Sequence, residues 1–360
     1  MNILILTYQG GIAGSTNSIA YLAQGLADRG HNVYTGCRRE SLLYKILKGG
    51  KVVLIPMTFK SKFDWDNIKQ IRDAVKKYDI HIINAQSSKD RYTSILANWI
   101  YRLNVNVFHT RRQTPKSSGI FLQNWFYTLG TKKIIAVSEG VKRQLADLGI
   151  PEKHITVIYN GTPRGKYKLQ NPEYVEELRR KYRIQPDDKV IGCVSRSKQQ
   201  EQLLKAVNLI DSKLKVILIG AEEKDIYRKI TAKYKTAHEV IYTGFLSPEE
   251  TLYHYKLFYI KVLPSITEGL SQALLEAMAM SVPVIATRAA GNIDLIKNGV
   301  NGYLFDENDI EDLAVKIKIL LENDDVRKKF IENGKKNALE DFSIENTIEE
   351  YERFFQDYCR

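Results

Sequence analysis

Two glutamates eight residues apart, Glu268 and Glu276, are the side chains of this sequence best placed to hold a polar ligand. Apolar residues recur between them at helical spacing, which predicts a helix that starts near Gly269 or Leu270, with the first glutamate in the loop before it. Helix N-termini present free N–H groups to anions and polar oxygens. The apolar run 282–286 that follows predicts a buried parallel strand. The same spacing also fits an amphipathic helix with two solvated glutamates.

A second candidate loop lies near the amino terminus. The apolar run 2–8 predicts a strand, which is followed by Gly10, Gly11 and Gly14 and then by a helical stripe with Gly30 as its predicted C-cap. A strand, a glycine-rich loop and a helix N-terminus together suit a phosphate or a closely packed substrate. The glycine spacing does not match the G-x-G-x-x-G fingerprint of dinucleotide-binding proteins.

Apolar runs and helical patterns alternate along both halves of the chain, which predicts an α/β fold with parallel, doubly wound sheets. The predicted strands are 33–37, 52–56, 80–84, 105–109 and 133–137 in the first half and 190–194, 214–219, 240–242, 258–263 and 282–286 in the second. Helical patterns in the first half include 65–77 and 93–103. Functional residues of such sheets lie just beyond the carboxyl ends of the strands. By that rule the candidates in the first half are Gln86, Ser87, Ser88, Lys89, His109, Thr110 and Arg111.

Length and composition suit a two-domain protein of a reducing compartment. The 360 residues, 44% of them hydrophobic, can bury two cores, and the polar stretch 164–172 is the predicted domain boundary. Cys37, Cys193 and Cys359 are far apart and predict neither a zinc site nor a disulfide framework, which favours the cytoplasm. The apolar run at the amino terminus is too short for a signal peptide, and no run is long enough to span a membrane.

The positive charge belongs to the first half of the chain. Residues 1–160 contain 23 Lys and Arg against 10 Asp and Glu, a net of +13, whereas the remaining residues contain 31 against 32, a net of −1. This asymmetry predicts an anionic partner for the first half: a membrane surface, a nucleic acid or a phosphate-bearing acceptor. The stretch 110–133 interleaves cations with aromatic residues, which fits an interfacial helix on an anionic bilayer or, equally, a helix packed on the sheet. The predicted membrane-facing cations are Arg111, Arg112, Lys116, Lys132 and Lys133.

The segment from Pro264 to Gly291 closely resembles the E-x7-E signature of the family 4 retaining glycosyltransferases, including Pro-Ser before the signature, Glu-Gly at the first glutamate and Leu-Glu-Ala-Met-Ala at the second. The resemblance covers nearly the whole chain and is strongest in 188–306. It implies the GT-B fold: two facing doubly wound, Rossmann-like domains with a deep interdomain cleft. It places an acceptor-binding domain at 1–163, a donor-binding domain at 164–341, and a last helix, 342–360, that crosses back onto the first domain.

The resemblance also implies roles for individual residues. The implied catalytic residues are Arg196, Lys198, Glu268 and His109. The implied donor-binding residues are Gly10, Gly11, Gly14, Gly244, Phe245, Gly269, Leu270, Ser271 and Glu276. The acceptor-side residues are Gln86, Ser88, Lys89, Arg111 and Arg112. The chain departs from the family where Gln199 replaces a glycine after Lys198 and where the insert between Arg196 and Lys198 is reduced to Ser197.

Neither a cofactor nor a metal is expected. Asp64 and Asp66 flank Trp65 in a D-x-D arrangement, which holds a metal in a different glycosyltransferase architecture. Here the pair opens the helical pattern 65–77, where acidic residues cap free N–H groups and oppose the helix dipole. We therefore interpret it as a helix cap.

The function that the resemblance implies is retaining transfer of a hexose or N-acetylhexosamine from a nucleotide-diphosphate sugar, with a UDP-sugar favoured. The expected acceptor is a cell-envelope glycan or a lipid-linked intermediate of lipopolysaccharide or polysaccharide biosynthesis, reached at the inner face of the cytoplasmic membrane. One alternative is an epimerase or hydrolase of nucleotide sugars on the same fold. The other is a non-enzymatic protein that binds an anionic polymer; nucleic acid is not the expected partner, because it would explain the charge but not the two glutamates.

Overall fold

The computed structural model describes residues 1–11, 14–113, 121–196, 199–266, 268–289 and 291–359. The chain divides into two compact units. The first comprises Met1–Pro163 and Ser343–Arg360, and the second comprises Arg164–Phe342. Within the described residues, no helix is both long enough and apolar enough to span a bilayer.

The first unit is a parallel sheet of seven described strands with helices between them. The strands are β1 (Asn2–Leu6), β2 (Asn32–Cys37), β3 (Val53–Pro56), β4 (Ile82–Ala85), β5 (Asn106–Arg111), β6 (Lys133–Ala136) and β7 (Ile155–Val157). The helices are α1 (Gly14–Asp28), α2 (Leu42–Leu47), α3 (Trp65–Tyr78), α4 (Ser88–Tyr101), α5 (Phe121–Gly130) and α6 (Glu139–Asp147). The strand order is β3-β2-β1-β4-β5-β6-β7. Residues 3–6 of the central strand are fully buried, as expected for a strand covered by helices on both faces.

The second unit has the same plan with six described strands. The strands are β8 (Val190–Val194), β9 (Lys215–Ile219), β10 (Glu239–Gly244), β11 (Ile260–Leu263), β12 (Val284–Thr287) and β13 (Tyr303–Phe305), in the order β10-β9-β8-β11-β12-β13. The helices are α7 (Glu173–Lys181), α8 (Gln200–Val207), α9 (Asp225–Thr231), α10 (Pro248–Tyr255), α11 (Gln272–Ala279), α12 (Asn292–Leu295), α13 (Ile310–Glu322) and α14 (Asp324–Lys336). All the strand pairs are parallel.

The last helix, α15 (Ile344–Gln356), completes the core of the first unit. Tyr351 and Phe355 are buried on its inner face, and Phe355 packs against Phe108 of β5. On its outer edge Glu352 accepts hydrogen bonds from Arg29 at 2.6 Å and from His31 at 2.8 Å. Burial of aromatic rings contributes most of the stabilisation, because exposed ion pairs contribute at most about 1 kcal/mol each.

The strand order decides where ligands can bind. In each unit the chain leaves the first strand to one side and returns on its other side, so β1 lies beside β4, and β8 lies beside β11. Ligands of open α/β sheets bind beyond the carboxyl ends of the strands at this switch point. The loops that begin at Thr7 and Gln86 meet there in the first unit, and those that begin at Ser195 and Pro264 follow the corresponding strands of the second.

The structure confirms the parallel, doubly wound sheets and corrects several local predictions. Asp64 is the N-cap of α3, with its carboxylate accepting from the Asn67 N–H at 3.2 Å, and Gly30 has the predicted left-handed backbone (φ +88°) after α1. The predicted helix start at residue 93 is wrong, since α4 begins at Ser88. The predicted start of α11 at 269–270 is also early, because Ser271 is the N-cap. Strands β7 and β13, three residues each, were not predicted because so short a run has no measurable period.

Candidate functional site

The loop after β11 holds Glu268 in a defined position. The Ser265 hydroxyl donates to Glu268 Oε1 at 2.7 Å. Behind the loop lies Gly291, where an added Cβ would stand 1.7 Å from the Gly269 carbonyl oxygen, so only glycine fits. Ser271 then caps α11 by accepting from the Leu274 N–H. The loop is therefore fixed from three sides, which favours a preorganised binding site.

Glu276 lies one turn inside α11 and is engaged by two side chains that the sequence did not suggest. Lys166, in a 3₁₀ turn at the start of the second unit, forms an ion pair with Glu276 Oε1. The Tyr255 hydroxyl lies 3.1 Å from Glu276 Oε2, and burial followed by the charge of Glu276 raises the pKa of Tyr255 well above its usual value. A carboxylate oxygen can accept two hydrogen bonds, so Glu276 can still accept hydrogen bonds from ligand hydroxyls.

The loop after β8 is held by one buried amide. The Gln200 Nε2 group donates to the Ser195 carbonyl at 3.2 Å, the Ser195 hydroxyl at 3.0 Å and the Arg196 carbonyl at 2.8 Å. Arg196 itself is exposed, whereas Lys198 lies outside the described residues. Gln199 has φ +60° and ψ +30°, a left-handed conformation that glycine adopts at no steric cost. This is the physical reason for a glycine in the family at that position, and glutamine bears the strain here.

Two further loops end at the same edge of this sheet. Gly244, at the end of β10, also has a positive φ (+64°), and its carbonyl accepts from the Gly220 N–H at 2.8 Å. The next side chain, Phe245, is 66% exposed, which leaves an aromatic face open to a ligand. Stacking on such a face suits a nucleotide base.

Beneath these loops lies a lysine that no motif predicted. Lys261 is fully buried on β11, and its Nζ has no hydrogen-bond partner among the described residues. Burial lowers the pKa of Lys261 to about 8, and the charges of Glu268 and Glu276 oppose that fall. A buried ammonium without a hydrogen-bonded partner is unfavourable, so the neutral amine is stabilised relative to the unfolded chain.

In the first unit, residues beyond β1, β4 and β5 line a cavity of about 330 Å³. Gln86, Ser88, Arg111 and Arg112 of the predicted set lie on its wall. Arg112 Nε donates to Gln86 Oε1 at 2.9 Å and its Nη1 donates to Asn160 Oδ1. Arg112 therefore has a structural role in joining two loops of the unit.

Arg91, which the sequence did not indicate, also lies on the cavity wall. It is more than nine-tenths buried, and its Nη2 donates to the Gln86 carbonyl at 3.2 Å. It stands in the first turn of α4, whose start is defined by a capping box: Ser87 N–H donates to Asp90 at 2.7 Å, and the Ser87 hydroxyl caps the N3 backbone N–H. Tyr8 N–H also donates to Asp90, at 3.2 Å, and burial raises the pKa of Asp90 to about 7. These contacts tie the loop after β1 to the loop after β4.

His109 occupies a buried position on β5. Its ring is fully buried in edge contact with Tyr127, and neither ring nitrogen has a hydrogen-bond partner among the described residues. Burial lowers the pKa of His109 well below its usual value, and the charges of Arg91 and Arg111 lower it further. The imidazole is therefore neutral. Its contact with a sugar stays a prediction, since no part of the ring is exposed in this structure.

Ser87 of the predicted set also lines the cavity, whereas Lys89, Gly10, Gly11 and Gly14 are not among the residues that line it. Lys89 Nζ donates to the carbonyls of Phe59 and Lys60, at 3.0 and 2.9 Å, and so stabilises a turn. Gly10 is buried with its α-carbon against Ser41, where an added Cβ would come within 2.7 Å of the serine Cβ. Gly11 is exposed, and Gly14 begins α1. In the part of the chain that the structure describes, no three His, Cys, Asp or Glu side chains are grouped so that they could hold a metal.

Comparison with known proteins places this geometry in a family. The profile of "Glycosyl transferases group 1" matches residues 175–337, and that of "Glycosyltransferase Family 4" matches residues 12–164. The chain belongs to the family 4 glycosyltransferases.

Relatives and solved structures agree with this assignment. The capsular polysaccharide biosynthesis glycosyltransferase CapM of Staphylococcus aureus is 29% identical over 240 residues, which are 63% of this chain and 62% of CapM. A glycosyltransferase from Rickettsia africae superposes with a TM-score of 0.88 at 23% identity and covers 100% of this chain and 98% of its own. Anabaena HepE, solved in complex with UDP-glucose, superposes with a TM-score of 0.82 at 19% identity over 99% of this chain and 100% of its own. The two structures establish the GT-B fold.

Within this family 4 chain, each unit brings together only part of the predicted site. The second unit gathers Glu268, Gly269, Leu270, Ser271 and Glu276 around the start of α11. The side chains that the sequence missed are Arg91, Lys166, Tyr255, Lys261 and Ser265. Only Arg91 had a local signal, because Ser87 and Asp90 form an S-x-x-D capping box that places the helix start before it.

Proposed function

We propose that the chain is a retaining glycosyltransferase that transfers a hexose or N-acetylhexosamine from a UDP-sugar to a cell-envelope glycan or lipid-linked acceptor. The observation that carries the proposal is the pair of positioned carboxylates, Glu268 bonded to Ser265 and Glu276 engaged by Lys166 and Tyr255, at the switch point of the second sheet. The matched length is 62% of CapM, so the activity of the whole protein is inferred from this site and from the family.

The donor roles follow from the chemistry of the side chains. Glu276 accepts hydrogen bonds from the ribose hydroxyls, and Glu268 with the backbone N–H groups of 269–271 holds sugar hydroxyls. Arg196 and Lys198 offset the charge that grows on the departing diphosphate, which is the largest electrostatic demand of this transition state. The complex of HepE with UDP-glucose supports a UDP-sugar as donor.

The proposed reaction needs no protein nucleophile. The acceptor hydroxyl attacks the anomeric carbon from the face that the diphosphate leaves, the bond from that carbon to the phosphate oxygen breaks, and the departing phosphate takes the hydroxyl proton. The configuration at the anomeric carbon is thereby retained. No metal or redox cofactor takes part in the step as written.

We also propose that the first unit binds the surface of an anionic membrane. Large apolar side chains are exposed on the neighbouring helices α3, α4 and α5, namely Trp65, Trp99, Leu122 and Trp125. Phe126 is not among them, because it stacks on Tyr92 with ring centroids 5.2 Å apart. Arg111 and Arg112 line the cavity, as does Lys62, which is also exposed and lies over the ring of Tyr92 on α4 at 4.9 Å. Lys60 is a second exposed lysine of this segment. Lys116 lies outside the described residues.

Vesicle cosedimentation of the full chain tests the membrane proposal. Binding to anionic vesicles should exceed binding to neutral vesicles and should weaken with salt, because each Lys or Arg near such a surface contributes about 1 kcal/mol. Trp125→Ala should weaken binding, whereas Ile226→Ala, a change at an exposed apolar side chain of the second unit, should not. Equal binding to neutral and anionic vesicles would contradict the proposal.

A screen of nucleotide sugars tests the enzymatic proposal. Thermal shift should identify a UDP-sugar that stabilises the wild type, and mass spectrometry should detect its sugar on a cell-envelope acceptor with the anomeric configuration kept. Release of UDP and free sugar without an acceptor would favour the hydrolase alternative, and an epimeric UDP-sugar would favour the epimerase. Stabilisation by no nucleotide sugar would contradict donor binding altogether.

A further inference from the structure

The cavity of the first unit is strongly cationic. Four positively charged residues, Lys62, Arg91, Arg111 and Arg112, are among the described residues that line it, and no Asp or Glu is. Buried cations in proteins are normally paired, because an unpaired buried charge is unfavourable.

Three of the wall residues have donors without a partner. The side chain of Arg111 makes no hydrogen bond or ion pair within the described residues, although its backbone carbonyl accepts from the Val137 N–H in the sheet. Burial, with the nearby charge of Arg91, lowers the pKa of Arg111 to about 9. Arg91 Nε is buried without an acceptor, although its Nη2 is bonded to the Gln86 carbonyl. Gln86 is 4% exposed, and because Arg112 occupies its Oε1, its buried Nε2 is a donor without an acceptor among the described residues.

We infer that this cavity binds an oxyanion, a phosphate or carboxylate group carried by the acceptor, with Arg111 as its principal ligand and Arg91 and Gln86 as supporting donors. The planar guanidinium group binds both kinds of oxyanion through paired N–H groups. A volume of about 330 Å³ is at the small end of ligand pockets, which suits one charged group with part of a sugar or polyol. The assignment of the oxyanion to the acceptor rests on the proposed function, whereas binding of the anion itself does not depend on it.

The arginines have different roles. Arg112 is bonded to Gln86 and Asn160 and holds the wall together, so its loss would disturb the fold of the loops. Arg91 is bonded to two backbone carbonyls, those of Gln86 and Thr110, and is likewise needed for structure. Arg111 has no such bonds within the described residues, and its removal therefore reports on the ligand.

Titration calorimetry of the full chain tests the inference. Inorganic phosphate and succinate are titrated separately, each with UDP present at saturating concentration so that the donor site is occupied. The wild type should bind at least one of the two anions, and which one it binds distinguishes a phosphate-bearing acceptor from a carboxylate-bearing one. Arg111→Gln should weaken that binding at least about tenfold, because a charge-assisted bidentate contact is lost. Arg111→Lys should lose less, since the charge remains.

Arg143→Gln is the matched control, because it removes an exposed arginine of α6 in the same unit. It should bind the anion as the wild type does, and circular dichroism should show all variants folded. Binding that is unchanged in Arg111→Gln, or no binding of either anion by the wild type, would overturn the inference. Anion binding seen only without UDP would assign the anion to the donor site and overturn it as well. Failure of the nucleotide-sugar screen would instead contradict the proposed function, and the titration would still show whether the cavity binds an anion.

Discussion

The two units share a strand order but differ in the charge presented at their switch points. In the second unit the central side chains are carboxylates with partners: Glu276 contacts Lys166 and Tyr255, and Glu268 contacts Ser265. In the first unit the wall carries arginines and no described carboxylate. Two sheets with the same strand order therefore support sites of opposite charge. The fold determines where the loops meet, and the loop residues determine which ligand binds.

The two sites also differ in whether their charged side chains already have partners within the protein. Glu276 already has two partners, so a nucleotide would add hydrogen bonds to an ordered carboxylate. The guanidinium group of Arg111 makes no hydrogen bond or ion pair within the described residues, so an anion would supply its first. We expect substitutions in the second unit to alter donor binding and turnover, and those in the first to alter the acceptor side.

The largest expected effect is that of Arg196→Ala. Turnover should fall at least about 100-fold with little change in thermal stability, because a preorganised charge acts mainly on the transition state. Arg180→Ala, at an exposed arginine of α7, is the control and should retain activity. Steady-state kinetics and melting curves measure both. Loss of phosphate binding in the presence of UDP by the Arg196→Ala variant would contradict the assignment of donor and anion to different units.

The next effect concerns Glu276. Glu276→Ala should weaken UDP binding by about 1–3 kcal/mol, the range for hydrogen bonds to a charged group. Lys166→Ala should have a smaller effect, because Tyr255 still orients the carboxylate. Calorimetry with UDP on the two single variants and the double variant gives their coupling. Unchanged UDP affinity in a folded Glu276→Ala variant would remove this residue from the ribose role.

Lys261→Met should stabilise the protein at pH 7. The folded pKa of Lys261, about 8, lies below that of the unfolded chain, so the unfolded state binds more protons between these two values. The charged lysine therefore destabilises the fold by its full amount below about pH 8, and this destabilisation shrinks as the pH rises further. The penalty corresponds to about 3 kcal/mol, of which repacking of methionine should recover 1–3. The wild type should gain stability as the pH rises from about 8 to 10, and the advantage of the variant should shrink. Urea unfolding at pH 7 and pH 10 measures this; a variant less stable at pH 7 would show that the ammonium is compensated.

The smallest effect is at Gln199. Gln199→Gly should relieve a positive φ and change stability by no more than about 1 kcal/mol, since the greater entropy of unfolded glycine offsets part of the gain. Gln202→Gly, at a residue inside α8, is a contrasting control and should destabilise the protein. Equal losses from both variants would mean that the side chain of Gln199, which donates to Glu307 at 2.7 Å, outweighs the strain.

What the sequence by itself determined is the part of the protein encoded by local patterns. Apolar runs specified eleven strands of two parallel sheets, Asp64 and Gly30 marked a helix start and end, and the segment around Glu268 and Glu276 identified the family. These predictions succeed because strand burial and helix capping depend on residues that are only a few positions apart in the chain. The capping box at Ser87 was equally local, and reading it would have placed Arg91 at the switch point.

Only the tertiary structure decided which distant side chains meet. Lys166 and Glu276 are 110 positions apart, and they pair because a turn at the start of the second unit lies against α11. The burial of His109, and the lack of a carboxylate among the described residues that line the cavity with Arg111, depend likewise on how α4 and α5 cover the sheet. Periodicity specifies which face of an element is apolar, but not which neighbour covers it. Strand order and packing decide that, and with it the charge that each site presents to its ligand.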